Sequence, residues 1–197
     1  MLTNNTKRYT FDELSEPAKE AAREWYRQHC LDYEWWDGVF DLVKDAGECL
    51  GIDVDRIYFS GFGSQGDGAC FEGAYSYRKG WRQALKKEFG GDLLAELEKI
   101  GFALQAAQAP AFYKLSASVS HSGRYMHSGC TYISVDHADR WATDEEEEEI
   151  KDALRYFMDW TYYRLEAEFD WLMSDEQVDE AIRANGYEFT EDGLFVR

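Results

Sequence analysis

The sequence predicts an α+β fold in one domain: a small antiparallel sheet of about four strands, several flanking helices and a long acidic C-terminal helix. Three observations predict it. Strand-like alternation comes in two pairs, each joined across turn-forming residues. Helical periodicity falls in separate tracts with cap signals at their starts. The last tract opens on a capping box at Thr143 and Glu146 and keeps one apolar face through about Met173. The chain has 197 residues, enough to bury a substantial core, and its seven Trp, thirteen Tyr and twelve Phe supply the material.

Taken in order, Thr10 and Glu13 form a Thr-x-x-Glu pattern, and Ser15 precedes Glu16-Pro17, which suits proline at a first helical position. A helix over about 16–30 follows, with Leu14, Ala18, Ala21, Ala22, Trp25 and Tyr26 at helical spacing. A second helix over about 33–50 carries Trp36, Val39, Phe40, Val43 and Leu50, and the two are expected to form a helical hairpin. Gly51 is a C-cap candidate, after which residues 56–60 read as a strand. Residues 69–77 form the next strand. A helical tract from Gly80 is interrupted at Gly90-Gly91, resumes through Leu104 and Ala107, and stops at Pro110. Residues 112–120 and 130–136 are strand-like across Ser122-Gly123-Arg124-Tyr125. After the long acidic helix, Ser174 starts a short one that ends at Asn185-Gly186, and residues 187–189 and 194–196 around Asp192-Gly193 read as a small hairpin.

Residues 57–73 are the most informative run, Ile-Tyr-Phe-Ser-Gly-Phe-Gly-Ser-Gln-Gly-Asp-Gly-Ala-Cys-Phe-Glu-Gly. Gly61, Gly63 and Gly66 match the letters of a dinucleotide fingerprint, but that motif needs a following helix to hold a pyrophosphate on its N-terminal amides. Here a second strand follows, with Asp67-Gly68 as turn signal, so the run is a hairpin or bulged loop. No Gly-Lys-Ser/Thr follows, which excludes a phosphate-cradling P-loop. The same run, together with Phe11-Asp12-Glu13-Leu14, Ala18-Lys19-Glu20 and Ala184-Asn185-Gly186-Tyr187-Glu188-Phe189-Thr190-Glu191-Asp192-Gly193, resembles a family of small phage and prophage proteins sometimes labelled antitoxin-like. The resemblance implies a setting among accessory genes of mobile elements, and it carries no catalytic residues across.

No apolar run approaches the roughly 18 residues of a membrane span. The Met-Leu-Thr-Asn-Asn start lacks the basic-then-apolar pattern of a signal peptide, so a soluble cytoplasmic protein is expected. Cys30, Cys49, Cys70 and Cys130 are widely spaced without a Cys-x-x-Cys pair, which suggests buried free thiols rather than a zinc knuckle or disulfide framework. No motif asks for a cofactor.

The net charge is −18, and residues 139–197 hold 19 acids against 6 bases. So negative a field repels nucleic acid and attracts basic surfaces. Asp144, Glu145, Glu146, Glu147, Glu148 and Glu149 are consecutive, where a helix macrodipole favours acids, and Asp152, Asp159, Glu166, Glu168 and Asp170 extend the acidity along the same helix. The bland account of such a run is a solvated helix start. The functional account is that helical carboxylates recurring about every 5–6 Å imitate phosphates, with Trp160, Tyr162, Tyr163 and Trp171 interleaved. Gln65, Asp67 and Glu72 in the glycine run are further partner-binding candidates, against a reading in which Asp67 only sets the turn and Glu72 faces water.

The expected function is therefore a non-enzymatic, phage-encoded acidic protein that binds a basic host protein and inhibits a defence complex, such as a CRISPR effector or restriction enzyme, by nucleic-acid mimicry. An antitoxin that binds a basic toxin is the alternative. A metal or enzymatic site is a third reading, built on His121, His127 and His137 with Asp136 and Asp139, although their spacing matches no established metal pattern. Arg78, Lys79, Arg82, Lys86 and Lys87 form the only basic patch, expected to pair with the acidic C-terminal helices within the chain or between subunits of a homo-oligomer.

Overall fold

A computed structural model describes residues 7–196. They fall into two compact units, residues 37–166 and residues 7–36 with 167–196.

In the larger unit, α2 (Asp37–Leu50) leads directly into β2 (Ile52–Phe59), which pairs antiparallel with β3 (Ala69–Ser76). The helices α3 (Trp81–Glu88) and α4 (Gly91–Gln108) follow, then β4 (Leu115–His121) and β5 (Thr131–His137). The four strands form one antiparallel sheet in the order β2-β3-β4-β5, as the two strand pairs predict. Alternation buries one face of it: Ile52, Val54, Ile57, Phe71, Tyr75, Leu115, Ala117, Val119, Ile133 and Val135 point into the core, while Ser116, Ser118, Ser120 and Tyr132 are exposed. Val39, Val43, Ala46 and Leu50 of α2, Leu97, Ile100 and Leu104 of α4, and Ile150, Leu154, Phe157 and Met158 of α5 (Asp144–Leu172) complete that core. α5 opens on the expected box: the Thr143 amide donates to the Glu146 carboxylate at 2.9 Å and the Glu146 amide to Thr143 Oγ1 at 3.2 Å.

Several boundaries differ from the sequence expectation. β2 begins at Ile52 rather than residue 56, because Gly51, at φ 85°, turns the chain straight out of α2 and its carbonyl accepts from Ser76 N. β4 begins at Leu115 rather than residue 112, because Phe112 and Tyr113 stand in the left-handed region at φ 52° and 62° and cannot join a ladder there. At the end of α4, the fully buried Gln108 bonds both the carbonyl and the amide of Leu115, and so ties the helix end to the strand start. In β2 the register shifts between Val54 and Arg56, opposite Gly73.

The smaller unit contains α1 (Glu16–His29), α6 (Asp175–Ala184) and a two-stranded ladder of β1 (Tyr9–Thr10) with β6 (Glu188–Phe189). Phe11, Leu14, Ala18, Ala22, Val178, Ile182 and Phe189 form its core, with Trp25 stacked on Phe195 at 4.1 Å. Arg23 of α1 holds Asp179 of α6 through two bonds of 2.6 and 2.9 Å. α1 therefore pairs with α6, and α2 with β2 and α3, in place of the expected α1–α2 hairpin. The expected C-terminal turn is present, with Thr190 N donating to Leu194 O, but its β6 arm also takes β1 as a partner.

Candidate functional site

Two surfaces of the larger unit hold most of the candidate residues. The first is the outer face of α5. Glu145, Glu149, Asp152, Tyr156, Asp159 and Tyr163 are all exposed and follow one another by three or four residues, so they lie on a single narrow stripe of the helix, about 21 Å long from Glu145 to Asp159. Among the described residues no cation pairs with Glu145, Glu149 or Asp159, while Asp152 shares Arg155 with Glu148 at 3.6 and 3.9 Å. Glu147 pairs with Lys151 at 2.7 Å.

The six-acid run is thus not uniform. Glu146 is buried, and its carboxylate is gripped by the Arg140 guanidinium through two bonds as well as by the Thr143 amide. The guanidinium first, then the amide, pull its pKa from 4.5 down to about 2. Its role is to fix the turn into α5. Because folding favours the carboxylate form, this contribution is complete above about pH 4.5 and is lost as pH falls towards 2. Arg140 remains partly exposed, so Glu146→Gln is expected to cost about 1–2 kcal/mol at pH 7. In urea unfolding, the gap between the two proteins should close between pH 4.5 and 2; a gap unchanged over that range would rule the pair out as its source. Glu166 is partly buried on the same helix, and Asp170 lies exposed in the smaller unit.

The second surface is the glycine loop between β2 and β3 packed against the loop between β4 and β5. Asp67 closes the first loop by accepting from Ser64 N at 2.7 Å, while Ser60 N donates to Gly68 O. Gly66 and Gly68 let the second loop approach: a Cβ on Gly66 would lie 3.2 Å from the Tyr125 ring, and one on Gly68 would lie 2.6 Å from His127 Cα. Gln65, Gly66, Asp67, Tyr125 and His127 line a cleft of about 560 Å³. The loop is also moored to α5, with Phe62 5.5 Å from the Tyr162 ring. Of the three glycine-run candidates, Gln65 and Asp67 come together in the cleft. Glu72 stands apart on the sheet, where it accepts from the Tyr58 hydroxyl at 2.7 Å and the His121 amide at 3.3 Å, which lower its pKa.

The histidines are engaged separately. His121 Nε2 meets Tyr125 O at 2.8 Å, and His137 Nδ1 accepts from Asp139 N at 3.1 Å. Among the described residues no group of three or more His, Cys, Asp or Glu is arranged to hold a metal ion. His127 Nε2 lies 3.2 Å from Cys130 Sγ, a pair that sequence reading missed. Its signal was His-x-x-Cys just before a strand, which a 3₁₀ turn over Ser128–Cys130 folds back on itself. The basic patch pairs locally: Arg82 and Lys86 with Glu98, Arg78 with Glu48 and Lys87 with Glu88, rather than with the acidic helices.

Fold and surfaces together define an α+β protein with a one-sided four-stranded sheet, a glycine-rich loop and an acidic helix face. The chain belongs to the family described as a domain of unknown function, DUF8835, whose model matches residues 35–175, a span that includes both surfaces. No curated protein and no solved structure matches the chain. Among the described residues no helix is long and apolar enough to cross a membrane.

Proposed function

We propose that this chain is a non-enzymatic binding protein whose acidic α5 face takes the place of nucleic acid on a basic host protein. In the mobile-element setting that the sequence resemblance implies, the partner is a nucleic-acid-binding defence complex in the host cytoplasm, such as a CRISPR effector or restriction enzyme, and binding inhibits it. One observation carries the reading: Glu145, Glu149, Asp152 and Asp159 form an exposed stripe that the cations among the described residues leave mostly unneutralised. A surface built to hold phosphates is attracted to such a row, and unneutralised carboxylates retain their field for a partner instead of spending it internally. Tyr156 and Tyr163 on the same stripe add contact area at low entropic cost.

The test is competition. The partner, captured from host lysate and purified, should exchange this chain for its own DNA or guide RNA, with an affinity for the chain that falls steeply as salt rises. Simultaneous binding of chain and nucleic acid would remove mimicry and leave the antitoxin-like reading, in which the same face meets a basic toxin.

A further inference from the structure

The four cysteines are free and differ sharply in surroundings. Cys49 and Cys70 are buried, and burial pushes the Cys70 thiol up to about 12. Cys30 is half-buried, and its thiol too is raised by desolvation. Cys130 alone has an imidazole on its sulfur, at 3.2 Å. The chain makes specific room for that imidazole. Gly68 admits the His127 backbone, and a Cβ on Gly129 would stand 3.2 Å from His127 Cε1 and Nδ1. His127 also lines the cleft of about 560 Å³ that opens beside Gln65 and Asp67, a size in the range that takes small organic ligands. A nucleophile and a base within hydrogen-bond reach are therefore together, and the base, His127, links the half-buried thiol to the cleft it lines.

We propose that Cys130 is a thiol-modification site, with His127 as its base, that takes a small organic disulfide from this cleft. His127 Nε2 removes the Sγ proton, and the thiolate attacks one sulfur of the disulfide. A new S–S bond forms to Cys130 as the old one breaks, and the departing thiolate leaves as free thiol with the proton from His127. One protein thiol and one small disulfide thus become one mixed disulfide and one small thiol, and excess thiol reverses the exchange. Acyl transfer fits the site less well. It needs amide donors aimed at a developing oxyanion, and the Cys130 amide is already committed to His127 O at 2.9 Å. Disulfide exchange asks only for a thiolate and a proton carrier. The adduct would stand against His127, which lines the cleft with Gln65 and Asp67, so the face of the glycine loop would change with the thiol state of its surroundings.

The experiment treats the reduced full-length chain with glutathione disulfide at pH 7 and follows each cysteine by peptide mass spectrometry. Cys130 should gain the adduct at least about tenfold faster than Cys30, and dithiothreitol should remove it. His127→Ala should slow the reaction at Cys130 by about tenfold, and added imidazole should restore much of the rate, a rescue that a merely structural histidine would not give. Cys130→Ser should abolish the fast adduct. Equal rates at Cys30 and Cys130, a wild-type rate in His127→Ala, a slowed rate that imidazole leaves unrestored, or an internal Cys70–Cys130 disulfide in place of the adduct would each overturn the proposal.

Discussion

Gly73→Ala is expected to lower the stability of the residue 37–166 unit by about 3 kcal/mol or more, the combined scale of backbone strain and overpacking. Gly73 lies opposite the register shift of β2, and a Cβ there would overlap the Asp53 carbonyl, with its carbon at 3.0 Å and Asp55 N at 3.3 Å. All of those atoms are backbone, so no side chain can swing aside. Either the β2–β3 ladder opens or the bulge moves, and a moved bulge would turn core residues of β2 to the wrong face. The companion Gly38→Ala sits in open space within α2 and serves as the control, with no loss of stability. Urea unfolding followed by tryptophan fluorescence measures both. A loss below about 1 kcal/mol for Gly73→Ala would show that the bulge is not fixed by this glycine.

The combined change Glu145→Gln, Glu149→Gln, Asp152→Asn and Asp159→Asn is expected to weaken partner binding at least about a hundredfold at low salt, and to flatten its salt dependence. Stability should hardly move. Glu145, Glu149 and Asp159 have no cation partner among the described residues, and Asp152 shares only a partly exposed arginine. Removing clustered like charges even relieves repulsion along α5. Isothermal titration at two ionic strengths reads the effect. Retained affinity in a folded variant would assign the stripe to solvation alone.

Much of the fold was legible because its signals are local. The hairpin around residues 57–73 and the capped start of α5 each rest on residues within a few positions of one another, where alternation, a turn pair or a capping box suffices. What escaped depended on distant or unusual backbone. The β1–β6 pairing joins residues near opposite ends of the chain, with only two residues in each strand to announce it. Phe112 and Tyr113 have strand-like side chains but left-handed dihedrals, which composition cannot reveal.

The site was legible in part for the same reason. The acidic run was plain, but which acids face outward depended on helix phase and on Arg140, which draws Glu146 inward. Gln65 and Asp67 were found from their turn, whereas the opposing Tyr125 and His127 come from a loop about sixty residues away. The closeness of those two loops follows from the β3–β4 pairing, and of the three glycines that match a nucleotide fingerprint, Gly66 makes room for the Tyr125 ring, while Gly68 beside it admits the His127 backbone.

The most direct measurement is a competition assay in which fluorescent nucleic acid, bound to the purified partner, is titrated with wild-type chain and with the four-carboxylate variant. The account predicts that the wild type displaces the nucleic acid completely, that more is needed as salt rises, and that the variant fails at the same concentrations. A ternary complex of partner, nucleic acid and chain, or equal displacement by the variant, would contradict it.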